Sequence, residues 1–285
     1  MPQLVALQSH QISAADGTML YVTDYLLPAA HARGSVVIMH GLGEHSGRYR
    51  HVAGFFNGCG LSVRCYDHRG HGRSQGKRGD VINGAPMLQD AEIVIEDFST
   101  RFAEPPFLFG HSMGGLVAAH FALARLSPLR GLILSSPALA VTMSPFQRRL
   151  YKIMLALAPT VGVPNGLSPK YLSHDATVVA AYKADPLVHS RISARLLRSM
   201  LTSIEYCQAH AGALDVPTLM LLAGDEHVID PEGSRRFFDK LRPGLAQMYV
   251  YDEMYHEIFN ELDAQRVMAD LKKWLEQLAV SMRHR

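Results

Sequence analysis

Cysteine is scarce in this sequence: Cys59, Cys65 and Cys207 are the only three in 285 residues, and none stands in a CxxC pair. An odd, scattered set excludes a disulfide framework and a thiolate zinc site, and it fits a reducing compartment. Long hydrophobic runs are also missing; a membrane-spanning helix needs about 20 consecutive apolar residues, and no segment supplies them. The opening decapeptide, residues 1–10, has neither the cationic start nor the apolar stretch of a secretory leader. The expected location is therefore cytoplasmic, with peripheral contact at a membrane surface as the further expectation.

Charge of one sign is lacking too. The formal net charge is +2, with basic residues dispersed rather than gathered into a stripe, so nucleic acid is not an expected partner. No internal repeat or low-complexity tract occurs. What is present is ample core material: 48% of residues are apolar and 19% charged, the balance of a globular chain. The length suits one α/β domain carrying an insertion.

The hydrophobic pattern gives the layout. Two β-rich runs near 10–14 and 19–27 flank the turn signal Ala15, Asp16, Gly17 and predict an antiparallel hairpin at a sheet edge. Compact apolar runs at 36–39, 61–66, 107–109, 131–135, 218–223 and 247–251 read as buried parallel strands. Helical periods fall between them at 49–58, 86–103, 113–127, 233–241 and 263–280, the last with Val267, Leu271, Trp274, Leu275 and Leu278 on one face. This alternation predicts an α/β fold, a mostly parallel sheet flanked by helices. From about 137 to 211 no strand is evident, only helical runs cut by Pro145, Pro159, Pro164, Pro169 and Pro186. The expected organisation is core at 1–136, helical cap at 137–211 and core again at 212–285.

Chemistry concentrates at the ends of the apolar runs. Gly110, His111, Ser112, Met113 and Gly114 spell GxSxG between a strand and a helix, the context of a nucleophile elbow. The sharp turn needs small residues two before and two after the serine, and it aims the hydroxyl at free N–H groups of a helix start. A serine hydroxyl needs a general base, and in this topology acid and histidine follow it in that order. His256 lies just beyond the last apolar run. The acid is sought in the loop after 218–223, where Asp225, Glu226 and Asp230 compete. A second oxyanion donor is expected from the glycine-rich loop His40, Gly41, Leu42, Gly43, which makes the backbones of Leu42 and Met113 the candidate pair. His40, His45, His68, His71 and Glu44 lie close in sequence, but no HExxH spacing supports a metal site. No metal or organic cofactor is expected.

Four motifs carry a resemblance over nearly the whole chain: HGLGEHSGRY at 40–49, YDHRGHGRS at 66–74, GHSMGG at 110–115 and YHEIFNE at 255–261. The chain resembles the monoacylglycerol lipase group of α/β hydrolases, related to lysophospholipase-like serine hydrolases. The resemblance implies an α/β-hydrolase fold with a helical cap, and a lipid-like ester, monoacylglycerol foremost, as substrate. It implies Ser112 as nucleophile, His256 as base, and Leu42 and Met113 as the oxyanion hole. Glu44, Arg48, His111 and the cap residue Tyr182, in YKADPL, match positions at the polar, glycerol end of the site. The position of the catalytic aspartate falls on Glu226, with Asp225 as the alternative acid. The cap's apolar residues suit an acyl chain, and its Arg148, Arg149 and Lys152 suit lipid headgroups. Lysophospholipids, short acyl esters and acyl transfer stay as alternatives on the same fold, with a non-catalytic binding protein as the reading from a different class. Oligomeric state is not legible.

Overall fold

The structure, a computed structural model, describes residues 5–82 and 85–283, with the side chains of the last two left undescribed. Residues 1–4 of the opening decapeptide lie outside the described residues. In chain order the strands are β1 (Ala6–Ser13), β2 (Met19–Leu26), β3 (Ser35–Met39), β4 (Ser62–Tyr66), β5 (Phe107–His111), β6 (Gly131–Ser135), β7 (Gly162–Pro164), β8 (Arg191–Ser193), β9 (Thr218–Ala223) and β10 (Ala246–Tyr251). The helices are α1 (Arg50–Gly58), α2 (Pro86–Ser99), α3 (Met113–Ala124), α4 (Pro145–Leu157), α5 (Ala176–Ala184), α6 (Ala194–His210), α7 (Pro231–Phe238) and α8 (Ala264–Arg283).

Eight strands form one sheet in the order β1-β2-β4-β3-β5-β6-β9-β10. The β1–β2 hairpin is antiparallel and joins β4 antiparallel, while every other neighbouring pair is parallel. The chain order reverses between β3 and β5, so their C-terminal ends open onto the crevice where such sheets place ligands. The loops at those two ends carry Gly41 to Glu44 and Ser112.

Strands β3, β4, β5, β6 and β9 are buried along their whole length because helices cover both faces. Alternate residues feed two cores. Val37, Met39 and Leu108 join Phe121, Leu196, Met200 and Phe237 on the α2, α3, α6 side. Val36, Ile38, Phe107 and Phe109 join Val52, Val267, Leu271 and Trp274 on the α1, α8 side. The antiparallel edge is fastened by the buried Arg64, whose guanidinium donates to both oxygens of Asp24 on β2 at 2.7 and 2.8 Å and to Asp97 on α2.

Several expectations shift: β1 begins at Ala6 rather than near 10, α2 ends at Ser99 rather than 103, and two further differences have a clear local cause. The region expected to lack strands contains β7 and β8, paired antiparallel with three residues each, too short to show a period of two in the sequence. Helix α7 starts at Pro231 rather than 233, because Asp230 caps it by accepting from the Glu232 N–H and proline sits at the first helical position. Within 137–211, α6 buries Leu196, Met200 and Cys207 in the same core as α3. Helix α4 differs: it begins with a Ser144–Gln147 capping box yet buries none of its residues.

Candidate functional site

The sequence around Ser112 folds as a hairpin bend between β5 and α3. Ser112 has φ 52° and ψ −118°, a conformation that costs a non-glycine residue about 1–3 kcal/mol and persists only where its surroundings fix it. They do so through backbone bonds: its N–H donates to Ser135 O, and its carbonyl accepts from Leu116 and Ala138 N–H. A Cβ on Gly110 would strike the Gly114 carbonyl, and one on Gly114 would strike those of Met39 and His40. The bend therefore tolerates no side chain at either position. Ser112 is the N-cap of α3, so the amide of Met113 opens the helix, where N–H groups lack intrahelical partners and favour negative charge.

Gly41 passes beside the serine, since a Cβ there would sit 3.3 Å from the Ser112 Cβ and 2.8 Å from Glu44 Oε1. Leu42 follows, and the loop's course is set from both sides. Glu44 Oε1 accepts the Gly41 N–H and the Tyr49 hydroxyl, each at 2.6 Å. Gly43 O accepts the His189 N–H at 2.8 Å from the cap, and His45 Nε2 faces Asp185 at 2.9 Å.

His256 is buried, with Nδ1 2.6 Å from Glu226 Oε2. Since a carboxylate only accepts, Nδ1 carries the proton and donates. Its Nε2 is buried without a hydrogen-bond partner among the described residues. Glu226 Oε1 accepts the Val228 and Ile229 N–H groups at 2.7 and 3.2 Å, so both oxygens are engaged. Asp225 instead faces His227, 2.7 Å from its Nε2. Asp230 caps α7. Burial disfavours the charged imidazole of His256, but the Glu226 carboxylate outweighs it and raises the pKa. Burial likewise lifts Glu226, yet the His256 ring and the two amides leave it below the ordinary carboxylate value.

His111 packs its ring 4.7 Å from that of His256 and shares a 3.0 Å hydrogen bond between Nδ1 and Ser135 Oγ. Burial, reinforced by His256, lowers its pKa to about 3, so it stays neutral. Arg48 donates to Glu44 Oε2 at 2.5 Å and, through both terminal nitrogens, to Glu257 at 2.6 and 2.7 Å. Burial works against ionised Glu44, but Arg48 prevails and its pKa falls to about 2. Tyr182 of α5 stacks on the Arg48 guanidinium, 4.8 Å from its centre. Glu44, Arg48 and Tyr182 thus gather at one end, together with Glu257, which sequence reasoning missed although it stands inside YHEIFNE.

Of the other histidines of the first two motifs, His45 pairs with Asp185 and His71 Nδ1 with Arg69 O, while both ring nitrogens of His68 and Nε2 of His71 have no hydrogen-bond partner among the described residues. His40 donates from Nδ1 to Gly41 O at 2.7 Å and accepts the His68 N–H at Nε2, leaving neither nitrogen for a metal. Among the described residues no group of three or more His, Cys, Asp or Glu is arranged to hold one. No helix among them is long and apolar enough to cross a membrane.

The chain is also similar in sequence and fold to known proteins. The sequence model of the Hydrolase_4 family, described as serine aminopeptidase, S33, matches residues 30–263. A monoacylglycerol lipase of Mycolicibacterium smegmatis is 35% identical over 279 residues, spanning 94% of this chain and 97% of that protein. The phospholipase YtpA of Bacillus subtilis is 30% identical over 246 residues, 85% of this chain and 95% of its own. The crystal structure of a Paleococcus ferrophilus monoacylglycerol lipase superposes with a TM-score of 0.82 at 36% identity, covering 91% of this chain and 99% of that one.

Proposed function

Because the chain belongs to the Hydrolase_4 family, within the monoacylglycerol lipase group of α/β hydrolases, we propose that it is a serine hydrolase that cleaves monoacylglycerol to glycerol and a free fatty acid. The observation that carries this reading is the strained Ser112 at the sheet's crevice together with the buried imidazole of His256, which packs 4.7 Å from the ring of His111, the residue before the serine, and is held through one nitrogen by Glu226 and unpartnered at the other.

Ser112 Oγ attacks the acyl carbonyl while His256 Nε2 takes the hydroxyl proton. The oxyanion is held by the Leu42 and Met113 N–H groups, a contribution of about 3 kcal/mol per donor in comparable sites. His256 then protonates the departing glycerol oxygen, leaving the acyl group on Ser112. A water attacks that ester as His256 accepts its proton, and the fatty acid leaves when the proton returns to Ser112. Glu226 keeps the ring in the required tautomer and stabilises the imidazolium. His111, neutral beside it, adds no opposing charge.

Glu44, Arg48 and Tyr182 form the polar end facing the glycerol. The cap supplies the contact with lipid: on α4, Phe146, Leu150, Ile153 and Leu157 recur at helical spacing and are exposed, Phe146 by 74% and Leu157 by 81%. A stripe of this kind beside Arg148, Arg149 and Lys152 suits a lipid surface.

The test is a panel of monoacylglycerols from short to long chain, run against the matching lysophospholipids. The proposal expects higher kcat/KM for monoacylglycerol across the panel. A clear preference for lysophospholipid shifts the assignment toward the phospholipase relative. No turnover of any ester removes the enzymatic reading.

A further inference from the structure

The loop that carries His256 ends in a buried carboxylate with no part in the scheme above. Glu261 is 8% exposed and closes the YHEIFNE motif. Its Oε1 accepts the Tyr255 N–H at 2.7 Å and the His174 Nδ1–H at 2.8 Å. Its Oε2 accepts the N–H groups of His174 and Leu262 at 3.1 and 3.2 Å. Three of these four donors come from the residue before the imidazole and from the cap.

The same cap segment, residues 171–174, meets the base loop along its whole course. Consecutive amides cross between them: His256 N–H donates to Tyr171 O at 3.3 Å and Glu257 N–H to Leu172 O at 2.8 Å. Ser173 Oγ donates to Asn260 O at 2.8 Å. The Tyr255 ring stacks on that of His174, centroids 3.7 Å apart and planes 19° from parallel. Glu261 holds both partners at once, through Tyr255 on one and His174 on the other.

We propose that Glu261 is a positioning residue for His256, and that through it cap residues 171–174 belong to the catalytic scaffold rather than to a lid. The proposal rests on the hydrolytic reading for its kinetic consequence, but not for its structural one. The carboxylate fixes the Tyr255 amide, the backbone immediately before the base, and docks it on a segment that itself receives the next two amides. Without that acceptor the half-buried Tyr255 N–H and the N–H groups of His174 lose their partner, and the loop relaxes to satisfy them. A displacement of the imidazole by even 1 Å is enough to slow a transfer that depends on near-attack geometry by about 100-fold. None of the groups that Glu261 itself bonds belongs to the Glu44, Arg48 and Tyr182 network, so kcat is expected to change far more than KM.

The experiment uses the full chain and a soluble p-nitrophenyl ester, with rates normalised to the folded fraction. Glu261→Ala is expected to lower kcat about 10- to 100-fold with KM within about twofold. Glu261→Gln keeps an oxygen for Tyr255 and His174 Nδ1 and is expected to recover most of kcat. His174→Ala, which removes only the cap-side arm, should fall between them. A kcat for Glu261→Ala close to wild type overturns the proposal, as does a Glu261→Gln variant as impaired as the alanine. A second readout needs no turnover: the Nδ1 proton of His256, bonded to Glu226, gives a far-downfield proton resonance. That resonance should broaden through solvent exchange in Glu261→Ala and stay sharp in Glu261→Gln. An unchanged resonance in Glu261→Ala contradicts the positioning role, even if the wild-type chain hydrolyses no ester at all.

Discussion

The crevice around Ser112 and the helix α4 are opposites in construction. At the crevice every carboxylate oxygen of Glu226, Glu44 and Glu261 is engaged, with His256 and His174 reaching Glu226 and Glu261 from 30 and 87 residues away, and a strained serine is held by three backbone bonds. Helix α4 has a good cap and a clear apolar face, yet none of its residues is buried. The difference teaches that precision in this molecule comes from interlocking hydrogen bonds at the sheet's rim. The apolar stripe of α4 lies outside that framework and is exposed.

The largest expected break in this comparison comes from the acid. Glu226→Gln should lower kcat by about 10³- to 10⁴-fold, as loss of the carboxylate partner does in comparable triads. Asp225→Asn, which touches only His227, should stay within about threefold. Two equally small losses would disconnect the Glu226–His256 pair from turnover.

Next comes pH. His256 acts as a base only when neutral, and Glu226 raises its pKa, so kcat/KM should climb with pH through an inflection above the ordinary imidazole value. The stability linked to the His256 titration runs the other way: it is complete below the unfolded imidazole pKa and is lost as pH rises through the higher folded one, while the lowered Glu226 pKa makes the carboxylate's share fade in acid. In Glu226→Gln the inflection should fall, because burial remains and the opposing carboxylate is gone. An inflection unmoved by that substitution would assign the titration to another group.

The smallest effect belongs to α4. Replacing Phe146 and Leu157 by serine should reduce binding to lipid vesicles, and turnover of vesicle-borne monoacylglycerol, by about tenfold. Turnover of a soluble short ester should be unchanged, with stability within about 0.5 kcal/mol, since these side chains are largely exposed. Equal losses on both substrates would make the stripe part of the pocket instead.

How much of this was legible in the sequence follows the same division. Continuous apolar runs marked β3, β5, β6 and β9 because both faces of those strands are covered, and the glycines around Ser112 marked the bend because no other residue fits there. The acid was ambiguous because Asp225 and Glu226 are adjacent, and only the loop's path turns one toward His227 and the other toward His256. Glu257 and Glu261 carried no local signal of their partners: Arg48 lies 209 residues away and His174 lies 87. The short β7–β8 pair was illegible for want of length.

The central claim is that Ser112 is reactive because His256, held by Glu226, draws its proton. Incubation with a fluorophosphonate followed by mass spectrometry of the digested adduct tests it most directly. The account predicts a single modification on Ser112, greatly slowed in His256→Ala. Labelling of a different residue, or undiminished labelling of Ser112 without the imidazole, would contradict it.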